Sequence, residues 1–234
     1  MVTDPETAKE IAKAAKAAAE TTGKAIDAGR DAGGFIAKYI AGPLEQGMGI
    51  FEDKLKYMRW ERQLRLMRRS EQLTIELGYG APSRAIPMKV AIPLFQGASI
   101  EDDDTMQDRW INLLINAAYA RNEQQVQRYH VDMLAQMSPL EAQILDKVYA
   151  LPFEEAKEKG IIASQLPTNA SVLGGGWPWE PETSVCLALA NLKRLGCIAL
   201  PDTAAEDFFA IVLPTRLGRD FVAACRCPEQ NFAA

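Results

Sequence analysis

The sequence predicts a mainly α-helical chain, with a helical N-terminal region over 1–137 and a winged-helix-like domain with a β-hairpin wing over 138–234. Three observations predict it. Apolar residues recur at helical spacing through much of the first region. The tetrapeptide SPLE at 138–141 is a strong helix start, with Ser138 as N-cap, Pro139 at the first helical position and Glu141 closing a capping box. Beyond it the chain reads helix, helix, helix, strand, strand, helix, the order of a winged helix.

The elements follow in order. Residues 5–40 form one long helix with a small-residue seam, Ile11, Ala15, Ala18, Thr22, Ala25, Gly29, Ala32 and Ile36, at alternating spacings of four and three. Its glycines cost helix stability, about 1 kcal/mol each relative to Ala, so the helix needs a partner. The rest of the chain, a second copy or a lipid surface would serve. AGPLEQGMGIF (41–51) breaks the chain. A basic helix then runs to about Leu77, where Gly78, Gly80 and Pro82 end it.

IPMKVAIPLFQGAS (86–99), interrupted by Pro87 and Pro93, reads as one or two short buried helices or an irregular segment. Ser99 is the expected N-cap of the next helix, with Glu101, Asp102, Asp103 and Asp104 crowding a first turn whose dipole favours negative charge. Met106, Trp110, Leu113, Leu114 and Ala117 make its buried face. A helix over 123–136 turns Val126, Tyr129, Met133 and Leu134 inward. The helix from SPLE runs to about Leu151, and a short one covers 153–159. After the loop NASVLGGGWPWEPE (169–182), Pro181 opens a helix that stops at Gly196. CIALP (197–201) and FFAIVL (208–213) pair as a hairpin. The last helix starts near Thr215 and carries Leu217, Phe221, Val222 and Cys225 inward.

Composition bounds what the chain can do. It has 234 residues, 48% hydrophobic and 24% charged, with a formal net charge of -5. That charge argues against nucleic-acid binding by the surface as a whole. The four cysteines, Cys186, Cys197, Cys225 and Cys227, follow no signal peptide and read as reduced thiols. Cys225 and Cys227 lack the usual two-residue gap, and the one histidine, His130, is far away, so neither a metal nor another cofactor is expected. No stretch reaches the roughly 18 uninterrupted apolar residues of a spanning helix; the nearest, GGFIAKYIAGPL (33–44), is short and carries Lys38 and Pro43. With one histidine and no nucleophile motif, the sequence does not read as an enzyme.

The candidate binding residues fall in two places. KLKYMRWERQLRLMRR (54–69) holds seven Lys or Arg and one Glu. On a helix, Tyr57, Trp60, Leu64 and Met67 form an apolar edge for docking. Lys54, Arg59, Arg62, Arg65 and Arg69 spread opposite it, with Lys56 and Arg68 at its borders. These cations suit phosphate, in nucleic acid or lipid headgroups, or they pair internally with the acids of 101–104. Trp177 and Trp179, around Pro178, suit an aromatic contact surface or a local cap on the core. The third helix of the C-terminal region offers a nucleic acid little beyond Asn191, Lys193 and Arg194. Residues 138–234 carry eight Lys or Arg against twelve Asp or Glu.

AGPLEQGMGIFEDKLKYMRWERQLRLMRR (41–69), followed by IPMKVAIPLFQGASIEDDDTMQDRWINLLINA (86–117), resembles the bacterial family called abortive infection alpha. The resemblance implies a helical protein with a more variable C-terminal part and a role in defence against phage, often by arresting or killing the infected cell. It brings no catalytic residues. Three kinds of function fit. The first is an interaction or sensor protein that meets a phage component or a companion defence protein. The second is a membrane-associated effector that binds anionic lipid through its N-terminal and basic helices. The third is a winged-helix regulator that binds nucleic acid. A cytoplasmic location is expected, with peripheral contact at the inner face of the membrane as an extension of it. Self-association through the N-terminal helix is a further expectation.

Overall fold

The computed structural model describes residues 34, 35, 38, 39, 60–119, 125–176, 178–202 and 208–228, the side chains of Trp60 and Glu61 excepted. It is mainly helical, with one small antiparallel sheet in its C-terminal part. The helices are α1 (Trp60–Glu76), α2 (Met88–Ile100), α3 (Asp104–Ala118), α4 (Arg128–Leu134), α5 (Pro139–Val148), α6 (Phe153–Lys159), α7 (Thr183–Arg194) and α8 (Arg216–Cys225). The strands are β1 (Ile161–Ile162), β2 (Ser171–Val172), β3 (Ile198–Ala199) and β4 (Ile211–Pro214).

Most of the expected long N-terminal helix lies outside the described residues. Those it contributes, Gly34, Phe35, Lys38 and Tyr39, are helical. Phe35 and Tyr39 are buried, one turn apart, with Phe35 edge-on to Phe95 of α2 and the Tyr39 carbonyl accepting from the Ile86 N–H. Aromatic residues outside the small-residue seam therefore dock this stretch on the core. Burial pushes the Tyr39 hydroxyl far above its ordinary range.

Helix α3 is the centre of the molecule. Its inward residues are Met106, Trp110, Leu113, Leu114 and Ala117, as the spacing predicts. Gln107, Ile111, Ile115 and Ala118 are buried too, so apolar contact surrounds the helix, as befits one packed on several sides. Helices α1 and α2 cover one side of it, and α5 and α8 another. Gly97 of α2 lies so near that an added Cβ would sit 2.4 Å from the Trp110 ring.

The stretch around Pro93 is one continuous helix, α2, with Pro93 inside it. Val90, Ala91, Leu94, Phe95, Ala98 and Ser99 form its buried face. Ser99 is not an N-cap: it sits in the last turn of α2, and its hydroxyl donates to the Phe95 carbonyl. Asp103 caps α3 instead. One carboxylate oxygen accepts from the Thr105 and Met106 N–H groups, each at 2.9 Å. The Thr105 hydroxyl, with those backbone bonds, holds the Asp103 carboxyl below its ordinary range.

In α1 the buried stripe is Leu66, Ser70, Leu73 and Thr74. Leu64 and Met67, expected on the docking edge, are only half-buried, and Tyr57 lies outside the described residues. Small Ser70 lets the stripe approach the core, and its hydroxyl is satisfied within the helix by the Leu66 carbonyl. Helix α4 is shorter than expected; Met133 and Leu134 are buried as expected, as is Val126 before it, but Tyr129 is 41% exposed and His130 is buried instead. In α8, Phe221, Val222 and Cys225 point inward as expected, but Leu217 is 40% exposed.

The SPLE start of α5 is observed as predicted, with Ser138 and Glu141 bonded reciprocally. The helix ends at Val148, earlier than expected, and Tyr149 follows as its cap. Gly196, at φ +73°, allows the turn that ends α7. The expected hairpin is present as β3 and β4. Two strands that the sequence does not announce join it, giving the order β2-β1-β4-β3 with Ile161 opposite both Val172 and Val212.

Among the described residues a single apolar cluster runs from Phe35 to Cys225, through both sides of residue 137. Polar ties follow it. The Asn112 amide donates to the Cys225 carbonyl at 3.1 Å, and the Asn116 amide to those of Ala224 and Arg226, at 2.8 and 2.9 Å. These carbonyls end α8 and have no partner within their helix. Arg109 of α3 likewise pairs with Asp146 of α5.

Candidate functional site

The basic helix is largely used inside the molecule. Arg62 donates to the Asp104 carboxylate and to the Asp102 carbonyl. Arg65 reaches Asp108 at 3.1 Å, Asp104 at 3.5 Å and the Gln107 side-chain oxygen at 2.8 Å. Helix phase explains the convergence, since Arg62, Arg65 and Arg69 line one flank of α1 and the first turn of α3 faces that flank. The internal pairing that the acids of 101–104 suggest is thus observed, with Asp104 at its centre and Asp108 added. Arg62 and Arg65 side chains are 23% and 30% exposed and Asp104 is 68% exposed, so each pair stabilises by no more than about 1 kcal/mol. Arg69 lies 3.9 Å from Glu76 of its own helix. Arg68 is exposed and has no partner among the described residues. Lys54, Lys56 and Arg59 lie outside the described residues.

Gln107 makes this corner specific. It is fully buried, and its amide nitrogen donates to the Ala98 carbonyl at 2.9 Å and to the Arg62 carbonyl at 3.1 Å while its oxygen accepts from Arg65. One side chain therefore joins α1, α2 and α3. Gln107→Met keeps the bulk and removes all three bonds, leaving two backbone carbonyls without their side-chain donor. Urea denaturation is expected to record a loss of about 2–3 kcal/mol.

Asn191 and Arg194 of α7 are also spent internally. The Asn191 amide donates to the Glu141 carboxylate at 2.8 Å and to the Gln136 carbonyl at 3.1 Å. Arg194 donates to the Asn191 oxygen at 2.9 Å and to the Gln136 side chain at 3.1 Å. These bonds seal α7 against the start of α5 and occupy the groups that a base-reading helix would present.

The loop before α7 differs. Trp179 is 84% exposed and caps nothing, whereas Trp177 lies outside the described residues. The next residue, Glu180, accepts from the Phe209 N–H at 2.9 Å, and Phe208, beside that tie, is 45% exposed. The tie fixes the loop to the approach to β4, so two aromatic rings are displayed from one junction. Segments 174–182 and 197–214, which meet there, contain Glu180, Glu182, Asp202, Glu206 and Asp207 and no Lys or Arg. Of these, Glu206 and Asp207 lie outside the described residues. The sequence singled out Trp179 but not Phe208, which reads there as one more apolar strand residue.

Burial pushes the thiols of Cys197 and Cys225 up to about 12, which makes both inert core residues. Cys186 and Cys227 are half-buried. Among the described residues no group of three or more His, Cys, Asp or Glu side chains is placed to hold a metal ion. Among them, too, no helix is long and apolar enough to cross a membrane.

A family model described as abortive infection alpha matches residues 61–225. No curated protein matches the chain. No solved structure matches it either.

Proposed function

Because the chain belongs to the abortive infection alpha family, we propose that it serves bacterial defence against phage as a non-enzymatic interaction protein whose docking surface is the aromatic junction of Trp179 and Phe208. The observation that carries this reading is an 84% exposed tryptophan beside an exposed phenylalanine, on segments whose charges are all carboxylates. Tryptophan in such a place supplies large contact area at small entropic cost. The rim selects the partner: a protein segment that presents Lys or Arg around an apolar side chain, with cation–π contact to Trp179. Such a segment belongs to a phage component or to a companion defence protein. Anionic lipid headgroups and nucleic acid share the sign of the rim and are repelled by it. The cytoplasm is the proposed place of action.

Charge reversal tests the reading. Glu182→Lys with Asp202→Lys is expected to abolish phage protection in cells at unchanged protein level, because a basic partner is then repelled. Protection that survives the reversal contradicts a basic partner.

The membrane-associated reading keeps one observation in its favour, the exposed Arg68, without a partner among the described residues, on the helix that Lys54, Lys56 and Arg59 precede in sequence. Flotation with anionic vesicles at low salt tests it, and the interaction reading expects none. Nucleic-acid binding is disfavoured by the internal bonds of Asn191 and Arg194.

A further inference from the structure

We propose that His130 is a proton-operated latch between α4 and α8, closed while the imidazole is neutral and opened by protonation at Nδ1. Its two ring nitrogens are committed in opposite senses. Nδ1 accepts from the Gln127 N–H at 2.9 Å, one of the otherwise unpaired donors at the start of α4. Nε2 lies 2.8 Å from the Asp220 carboxylate of α8. An acceptor at Nδ1 requires the proton of the neutral ring to be on Nε2, where it is donated to Asp220. Tyr129 donates to the same carboxylate oxygen at 2.7 Å. Two adjacent residues of α4 thus converge on one acid of α8, ninety residues away in sequence.

Protonation adds a hydrogen at Nδ1, which then points at the Gln127 N–H. That bond cannot survive, so the start of α4 loses its anchor. The ring is 2% exposed, so it is shielded from bulk solvent while the latch is closed. Burial accordingly lowers its affinity for a proton below the ordinary value of 6.5, with Asp220 opposing that shift. The neighbouring charges are otherwise engaged. Arg128 pairs with Asp132 and donates to the Lys89 carbonyl of α2, Lys89 itself is exposed, and Arg219 of α8 lies over the Phe153 ring. The direction follows from linkage: the unfolded chain takes up the proton first. The latch contributes fully above pH 6.5, weakens as pH falls through that value, and levels off below the folded-state value.

His130 is the only histidine in the chain, so its ring signals in a nuclear magnetic resonance titration need no assignment. The wild-type protein is expected to show the Nε2–H tautomer, a midpoint below 6.5, and at least a tenfold loss of hydrogen-exchange protection in residues 127–131 on protonation, after correction for intrinsic rates. His130→Gln, which does not titrate, is expected to hold its protection constant over the same range. An Nδ1–H tautomer, a midpoint at or above 6.5, or wild-type protection that changes less than twofold overturns the proposal. The wild-type titration decides even where the variant does not fold.

Discussion

Gly218→Ala is expected to destabilise the protein by about 3–5 kcal/mol, although alanine is the better helix former by about 1 kcal/mol. An alanine Cβ at this position would lie 2.1 Å from the Tyr149 hydroxyl oxygen and 2.2 Å from the Cys197 carbonyl oxygen. Neither neighbour can yield easily. The Cys197 oxygen is backbone, leading into β3. The Tyr149 hydroxyl donates to that oxygen at 2.6 Å and accepts from the Thr215 N–H at 3.0 Å. Thr215 in turn caps α8, its hydroxyl accepting from the Gly218 N–H at 2.9 Å and donating to the Gly196 carbonyl. Burial pushes the Tyr149 hydroxyl up to about 12, so it is a neutral donor throughout the working range. The added methyl therefore breaks a closed set of bonds joining α5, β3 and α8, and overpacking adds to the loss of a buried hydrogen bond. Urea midpoints of the variant, of Tyr149→Phe and of the double variant test it. The double variant should cost less than the sum of the two single losses. A Gly218→Ala protein within 1 kcal/mol of wild type would mean that α8 can withdraw from the sheet freely.

Gly97→Ala is the second large effect, about 2–4 kcal/mol, again against helix propensity. Its Cβ would meet the Trp110 ring at 2.4, 2.6 and 2.9 Å. Trp110 is 1% exposed and sits on the helix that the others surround, so the ring has nowhere to move. Trp110→Leu opens space beside Gly97. In that background the same Gly97→Ala change should cost less than about 1 kcal/mol, as read directly from denaturant midpoints. An equal cost in both backgrounds would place the strain elsewhere.

The reach of the sequence can be traced residue by residue. SPLE was legible because three of its four residues, Ser138, Pro139 and Glu141, each supply a separate helix-start function. The face of α3 was legible because five apolar residues, four of them large, repeat at helical spacing. Ser99 misleads because two cap-type residues stand four apart; burial of Ser99 beside Phe95 decides for Asp103. Gln107 and His130 escape a reading based on apolar stripes, since both are polar residues buried by the bonds they make. Strands β1 and β2 are two residues each, too short to display an alternation. The arginine-rich stretch announced its charge plainly, but only the facing turn of α3 shows that Arg62 and Arg65 are spent inside. Exposure decides the opposite case: whether Trp179 capped the core or faced outward is a tertiary fact, and it faces outward.

The most direct test of the proposed docking surface compares Trp179→Ala with Phe208→Ala against the intact protein in the plating efficiency of a phage that the intact protein restricts, with urea midpoints measured in parallel. The surface lies outside the core, so the midpoint is expected to stay within about 0.5 kcal/mol of wild type. Protection should be lost. Full protection by a double variant of unchanged stability would contradict the assignment of Trp179 and Phe208 as the docking surface.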